Sequence, residues 1–297
     1  MRYLSHLFTA LLLLVASSAH ANILVLVHGY LGSSQSWVES GIVEILQKRG
    51  RVLEGSYHYS AAGTYYASTG IKANQPVYTV DLPSMAPVIM QADWLSAYLR
   101  EIEKKHPKTP ITVAGHSAGG IVARAALVKN SPGMVKHLIT IAAPHLGTSR
   151  AHQALDATNS SGIFGGIKSW AVKNKTGPQL YRTIKHSRGI LVDLTPPRPG
   201  NFLHWLNQQA HPPIAYTSII RTGTFQMPGD QIVPGFSQDL RNIPVLGERA
   251  QSYVMASGHM LTPQDGHLLA NLLTMENSPA KAHDHYNNSD HIPAQTR

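Results

Sequence analysis

Short apolar runs alternate along the chain with segments whose apolar residues recur at helical spacing. Five continuous runs have the length and aliphatic content of strands buried on both faces of a sheet: NILVLVHG from Asn22 to Gly29, PVYTVDLPS, ITVAG, HLITIAA and IAYTSII. SSQSWVESGIVEILQKRG and QADWLSAYLREIEKKH each predict one amphipathic helix. Near the end, SYVMASG predicts a last strand, and HLLANLL predicts a closing helix.

The alternation of strands and helices indicates βαβ units, because parallel neighbours need long crossover connections. We therefore expect an α/β fold, with a doubly wound, mostly parallel sheet between layers of helices. In such sheets, ligands bind at the carboxyl ends of the strands. Candidate functional residues are expected at that edge of the sheet.

One of these strands leads directly into a serine between two glycines. In ITVAGHSAGG, Ser117 follows the strand and precedes a helix expected from Ala118 to about Asn130. Gly115 and Gly119 flank the serine where side chains would collide in a tight turn from strand to helix. The pattern G-x-S-x-G in this context predicts a nucleophile elbow, which exposes a serine hydroxyl above the sheet. The alternative is a glycine-rich turn with an incidental serine.

Three motifs together resemble the α/β-hydrolase superfamily, and in particular its secreted triacylglycerol lipases and related esterases. They are HGYLG at residues 28–32, GHSAGG at residues 115–120 and APHLGT at residues 143–148. The resemblance extends from Asn22 to about Leu273, and it is most specific over residues 111–148. It implies the α/β-hydrolase fold and an ester-cleaving activity.

The same resemblance implies an oxyanion hole formed by the backbone N–H groups of Tyr30 and Ala118. Two such donors would stabilise the negative charge that develops on a carbonyl oxygen during acyl transfer. Gly29 and Gly32 would let the loop after the first strand lie close to the substrate. His28 is expected to brace this loop rather than to transfer protons.

A serine hydroxyl is a poor nucleophile without a base and an acid that orients the base. In this fold the acid and then the histidine follow the serine along the chain. We favour Asp230, which lies in the turn GDQIVPG after the IAYTSII strand. Asp193 is expected in a loop that leads into a helix, and Asp239 comes after the turn. The acids weighed downstream of the serine are Asp156, Asp193, Asp230, Asp239, Glu248 and Asp265.

Two histidines near the end of the chain could supply the base. His259 falls in the loop after the predicted strand SYVMASG, whereas His267 is expected in the first turn of the closing helix. A base needs a loop position at the strand ends, so His259 is preferred and His267 is expected to be solvated. The predicted triad is therefore Ser117, Asp230 and His259, and it requires no metal or organic cofactor.

The segment between APHLGT and the strand near Ile214 is far longer than an ordinary connection. We expect a helical cap or lid over about residues 149–205. Within it, SSGIFGGIKSWAVKNK has an apolar helical face that could cover an acyl-chain pocket or open at a lipid surface. An equally good reading is a helix that packs on the core.

The ends of the chain and its composition bear on location and partners. Residues 1–21 have the layout of a secretory signal peptide, so residues 22–277 would form the hydrolase domain outside the cytoplasm. Residues 278–297 form a polar tail that is expected to be disordered. The chain has no cysteine, which excludes thiol chemistry. Its formal net charge of +9 would favour contact with anionic surfaces. No pattern for nucleic-acid binding is present.

The sequence therefore predicts a secreted serine hydrolase that cleaves carboxylic esters and acts on a lipid or other acyl-ester substrate. A phospholipase, thioesterase or acyltransferase with the same triad is an alternative. A protein of a different class would bind an acylated ligand without catalysis. The sequence gives no indication of the oligomeric state.

Overall fold

The computed structural model describes residues 22–130, 133–158, 177–223 and 229–276. The predicted signal peptide, the segment SSGIFGGIKSWAVKNK and the polar tail from residue 278 lie outside the described residues.

A single sheet of eight strands organises the described part of the chain, in the spatial order β3-β2-β4-β1-β5-β6-β7-β8. Every neighbouring pair is parallel except β2 and β3, which are antiparallel. The mostly parallel α/β fold predicted from the sequence is confirmed. The strands are β1 Ile23–Val27, β2 Val52–Ser60, β3 Gly63–Ser68, β4 Pro76–Val80, β5 Ile111–His116, β6 Val135–Ile141, β7 Ala215–Arg221 and β8 Ala250–Met255.

Helices cover both faces of this sheet and bury its aliphatic strands. The side chains of β1 alternate, since Ile23, Val25 and Val27 belong to one apolar cluster, while Leu24 and Leu26 belong to the other. This alternation is why the strand reads as a continuous apolar run. The helices are α1 Ser36–Glu39, α2 Ile42–Lys48, α3 Val88–Lys105, α4 Ala118–Asn130, α5 Ser149–Thr158, α6 Pro178–His186, α7 Arg188–Asp193, α8 Phe202–Gln208, α9 Gly235–Gln238 and α10 Pro263–Glu276.

The single helix predicted after the first strand is wrong, because the chain forms two helices there, α1 and α2. Gly41 separates them with a φ of +78°, a left-handed conformation that favours glycine. Its N–H donates to the Val38 carbonyl, 3.0 Å away, and closes α1. A Cβ at Gly41 would also contact the Pro263 side chain at 3.3 Å. The glycine thus lets α1 and α2 turn beside the start of α10.

The apolar runs did not predict the hairpin that β2 and β3 form at one edge of the sheet. Its residues are largely tyrosine, serine and glycine, so it lacks the aliphatic content that marks the central strands. β2 pairs in parallel with β4, and β3 pairs with β2 alone. The hairpin extends the sheet beyond the βαβ units and carries side chains to the carboxyl end of β4.

Helices α5 to α8 occupy the described part of the region predicted as a cap. Helix α5 packs against α6 and α7, and α7 also packs against α3. The Asp193 carboxylate, at the end of α7, accepts a hydrogen bond of 2.7 Å from the Val88 N–H. Asp193 therefore ends a helix rather than lying in a loop. Among the described helices, none combines the length and the apolar content that crossing a bilayer requires.

Candidate active site

Ser117 lies in a sharp turn between β5 and α4. Its φ is +52°, a left-handed conformation that is uncommon for a residue with a side chain. Its N–H donates to the Ile141 carbonyl at 2.8 Å, which holds the turn against the neighbouring strand. A Cβ at Gly115 would lie 2.7 Å from the Gly120 backbone, and one at Gly119 would overlap the His28 carbonyl oxygen. The two glycines are therefore required by the close approach of strand and helix.

The three side chains singled out in the sequence meet at this turn. His259 Nε2 lies 2.9 Å from Ser117 Oγ, and His259 Nδ1 lies 2.7 Å from Asp230 Oδ2. They come from the turn after β5, the loop between β7 and α9, and the loop between β8 and α10. All three positions lie at the carboxyl ends of parallel strands. The contacts join residues that are 142 and 29 positions apart along the chain.

The hydrogen bonds define which atom of the imidazole carries the proton. An ionised carboxylate only accepts, so His259 Nδ1–H donates to Asp230 and His259 Nε2 accepts from the Ser117 hydroxyl. Burial raises the pKa of Asp230, but the hydrogen bond from His259 and those from two backbone N–H groups outweigh it. The net pKa of Asp230 is lowered, which keeps this carboxylate charged beside the imidazole. Ile232 and Val233 donate those backbone hydrogen bonds, at 3.0 and 2.8 Å.

The loop after β1 lies against the serine. A Cβ at Gly29 would reach Ser117 Cβ at 3.0 Å, and the Gly32 N–H donates to the Gly29 carbonyl at 3.0 Å. His28 braces this loop: it accepts a hydrogen bond from the Leu82 N–H at 3.0 Å, and its Nδ1 lies 2.9 Å from the Gly29 carbonyl. Tyr30 follows Gly29 directly on the wall of the site.

A cavity of about 420 Å³ opens over the serine. Ser117, His259 and Tyr30 line it, together with Leu31 and Met260, whose side chains are exposed. Ala118 is the first residue of α4, where helix N–H groups have no partner within the helix. The predicted nucleophile, the predicted base and one predicted oxyanion donor thus share a cavity with an apolar rim.

His116 is a buried residue of this site that the sequence reasoning did not single out. Its Nε2–H donates to the His259 carbonyl at 2.8 Å, and the two imidazole rings lie 5.2 Å apart. Burial, with the nearby His259, lowers the pKa of His116 to about 3, so this imidazole is neutral at physiological pH. His116 therefore fixes the backbone of the residue that contacts Ser117. The available signal was its place beside the serine in the elbow motif.

The alternative acids have other partners. Asp239 accepts from Arg241 at 2.8 Å and from the Ser252 hydroxyl at 2.6 Å. Asp265 pairs with Arg221 at 2.6 Å, and both side chains are completely buried. Asp156 and Glu248 are exposed. Of the acids weighed, Asp230 is the one that the structure brings to His259.

Two buried arginines near the strand ends were also missed from sequence. Arg221, at the end of β7, donates through its backbone N–H to Gln238 at 2.8 Å, and Gln238 in turn lies 3.3 Å from Asp230 Oδ2. Arg124 of α4 lies 3.1 Å from His145 and also donates to Asn207. Burial lowers the pKa of Arg124 to about 9. Buried charges on helices and strands give no periodic signal, because each depends on partners distant in sequence.

Left-handed backbone conformations of residues other than glycine are concentrated at this edge of the sheet. Within the described residues, four of the five lie in the segments that follow β1, β5, β6 and β7: Leu31, Ser117, Ala142 and Gln231. Such conformations persist where surrounding contacts fix them, and they cluster at functional sites. The strained backbone positions and the predicted triad therefore lie at the same edge of the sheet.

The comparisons with known proteins agree with this architecture. The family model described as the alpha/beta hydrolase family matches residues 24–273, so the chain belongs to the alpha/beta hydrolase family. This confirms the resemblance to the α/β-hydrolase superfamily that was drawn from the three motifs. No curated protein sequence matches the chain.

Several solved structures are similar in fold. A lipase of Bacillus licheniformis in its mature form is 19% identical over 88% of this chain and 93% of its own, with a TM-score of 0.59. A gene product of Listeria innocua is 14% identical over 83% and 91%, with a TM-score of 0.58. A metagenomic carboxyl esterase is 13% identical over 87% and 76%, with a TM-score of 0.51. At these identities, the similarity concerns the fold.

Proposed function

We propose that this chain is a secreted serine hydrolase that cleaves carboxylic esters, and that its substrates resemble those of lipases. The observation that carries the proposal is the hydrogen-bond chain from Ser117 through His259 to Asp230, with distances of 2.9 and 2.7 Å. This arrangement suits acyl transfer, because the base lies within reach of the hydroxyl and the acid orients the base. Membership of a hydrolase family and fold similarity to a lipase support the same conclusion.

The reaction follows from the protonation states. His259 Nε2 takes the proton of Ser117 as Oγ attacks the ester carbonyl, and Asp230 stabilises the imidazolium that forms. The backbone N–H groups of Tyr30 and Ala118 donate to the oxyanion. His259 then protonates the departing alcohol, and water cleaves the acyl-enzyme by the same steps in reverse order.

The lipase-like part of the proposal rests on the apolar surface around the cavity. Leu31 and Met260 line the opening and are 50% and 71% exposed. Ile232, in the loop that carries Asp230, and Phe236, in α9, are 43% and 62% exposed. Large apolar side chains at the mouth of a site favour an acyl chain or a lipid surface over a polar substrate. A cap over residues 149–205 would complete this apolar surface.

The test is a chain-length series of chromogenic esters with the purified mature chain and with Ser117→Ala. We expect turnover by the wild type, complete loss in the variant, and covalent labelling of Ser117 by a fluorophosphonate probe. Asp156→Ala, an exposed substitution on α5, is the matched control and should retain turnover. Turnover that survives in Ser117→Ala would refute the assignment. An unlabelled serine would favour an acyl-ligand binding protein, and exclusive use of short, soluble esters would refute the lipase-like substrate.

A further inference from the structure

A second cavity of about 430 Å³ lies beside the catalytic one. Gly32 lines both cavities, so the loop after β1 forms the wall between them. On its far side, the second cavity is bounded by the hairpin of β2 and β3 and by the segment after β4. A group that leaves the reacting centre across this loop would enter the second cavity.

A histidine paired with an aspartate lies in this second cavity. His58 Nδ1–H donates to Asp81 Oδ2 at 2.6 Å, and Asp81 Oδ1 accepts from the Ser34 N–H at 2.5 Å. Because Nδ1 faces the carboxylate, Nε2 is the ring nitrogen that is left to hydrogen-bond to a ligand hydroxyl. Within the described residues, no side chain hydrogen-bonds to that atom. The pair therefore offers one oriented polar atom to a ligand.

Two tyrosine rings line this cavity. The ring of Tyr65 stacks on His58 with centroids 5.0 Å apart and planes 16° from parallel. Tyr59 also lines the cavity and contacts Trp94, with ring centroids 5.8 Å apart. Tyr59 and Tyr65 are 40% and 53% exposed, so their faces and hydroxyls are accessible. Flat rings with hydrogen-bonding groups at their edges suit a small ligand that has both C–H and O–H groups.

The charges of the cavity select among such ligands. The described lining has no lysine or arginine, so an anionic headgroup would find no cationic partner there. Each oxygen of the Asp81 carboxylate already accepts one hydrogen bond, from His58 or from the Ser34 backbone, so the lining presents no unpaired carboxylate. The remaining polar groups include the hydroxyls of Ser33 and Ser84. A neutral molecule with several hydroxyls matches this set of groups.

We propose that the second cavity binds the alcohol part of the ester, and that this alcohol is polyhydroxylated, such as glycerol or a sugar. His58 Nε2 hydrogen-bonds to one of its hydroxyls, and the rings of Tyr59 and Tyr65 pack against its carbon skeleton. The inference rests on the proposed function, since it names the leaving group of that reaction. The alcohol departs with the proton that His259 took from Ser117.

The first experiment compares esters that share one acyl group but differ in alcohol. With octanoates of ethanol, glycerol and glucose, kcat/KM reports formation of the acyl-enzyme, the step in which the alcohol takes part. His58→Ala should lower kcat/KM for the glycerol or the glucose ester about ten-fold relative to the ethyl ester, the effect of one lost hydrogen bond. The polyol ester whose kcat/KM falls more in His58→Ala identifies the alcohol that the cavity prefers. His267→Ala, an exposed substitution on α10, is the matched control.

The same comparison separates binding from support of the loop. If His58 only held Asp81 and the loop through Ser34, its loss would slow the hydrolysis of all three esters equally. The ratio of kcat/KM between polyol and ethyl esters would then be unchanged, and that result would overturn the proposal. Tyr65→Ala is the second variant, because this exposed side chain can be removed without opening the core. It should reduce the same ratio.

A binding measurement makes the inference testable apart from catalysis. Saturation-transfer NMR with glycerol and with methyl β-glucoside would be recorded on Ser117→Ala and on Ser117→Ala combined with His58→Ala. We expect transfer to at least one of the two probes, and loss of that transfer in the double variant. No transfer to either probe would overturn this inference even if esters are hydrolysed. Absence of hydrolysis with transfer retained would instead refute the proposed function, and the cavity would then bind a polyol that is not a leaving group.

Discussion

The buried ion pair between Arg221 and Asp265 gives the sharpest prediction of stability. Arg221 ends β7, Asp265 lies in the first turn of α10, and the two meet at 2.6 Å with no exposure of either side chain. Asp265 also accepts from the N–H and the hydroxyl of Thr262, at 2.8 and 3.1 Å. Asp265→Ala would leave a buried guanidinium without its counter-charge. Removing one partner of such a pair costs about 3–5 kcal/mol.

This free energy predicts a large change in melting temperature. For a domain of this size, one kcal/mol corresponds to about 2–4 °C, so Asp265→Ala should lower Tm by roughly 6–20 °C in a calorimetric or circular-dichroism melt. Asp156→Ala, which removes an exposed carboxylate, is the control and should leave Tm within about 2 °C. The double variant Arg221→Met with Asp265→Leu should recover much of the loss, because it removes both charges.

Two outcomes would refute this reasoning. A fall in Tm of less than about 2 °C for Asp265→Ala would mean that the guanidinium finds other compensation. A double variant as unstable as the single one would mean that the hydrogen bonds to Thr262, rather than the charge, carry the effect. Thr262 lies three residues after His259, so the pair also anchors the end of the loop that carries the predicted base.

Four further predictions concern the site itself. Gly119→Ala should destabilise the fold by about 3 kcal/mol or more in urea unfolding, because the new Cβ overlaps the His28 carbonyl; an unchanged midpoint would contradict the elbow geometry. His116→Ala should lower kcat about ten-fold with little change in KM, since it frees the His259 carbonyl; a change in KM alone would point to substrate binding instead. Asp230→Asn should reduce kcat by about four orders of magnitude through the wrong tautomer of His259, and a much smaller loss would argue against Asp230 as the orienting acid. Folding lowers the pKa of Asp230, so the stabilisation from its carboxylate is present above the ordinary pKa of about 3.9 and is lost as pH falls through the folded value. In thermal melts, the Tm values of the wild type and Asp230→Asn should therefore converge at acid pH. A difference in Tm that persists there would refute this pH dependence.

The central sheet could be predicted because its strands are aliphatic on both faces. β1 and β5 are buried along their whole lengths, so their residues form short, mainly apolar runs. Ser117 could be singled out for the same reason, since the elbow motif sits between such a run and a helix. Asp230 and His259 followed from the order of residues along the chain and from their loop positions.

Other features depend on contacts that local patterns do not encode. The break at Gly41 arises where α1 and α2 meet Pro263, more than two hundred residues away in the sequence. The role of His116 depends on the His259 carbonyl, and the burial of Arg221 depends on Asp265. The edge hairpin was missed because a polar, tyrosine-rich strand has neither an aliphatic run nor a clear alternation.

The hairpin of β2 and β3 has a consequence for how this protein could diverge. It joins the sheet through β4 alone, whereas the elbow and the predicted base belong to the opposite half, beyond β1. Exchange of Tyr59 or Tyr65 would therefore leave the geometry around Ser117 untouched. In related sequences, mutations at this edge of the sheet could therefore change the preference of the proposed alcohol site without altering the residues around Ser117.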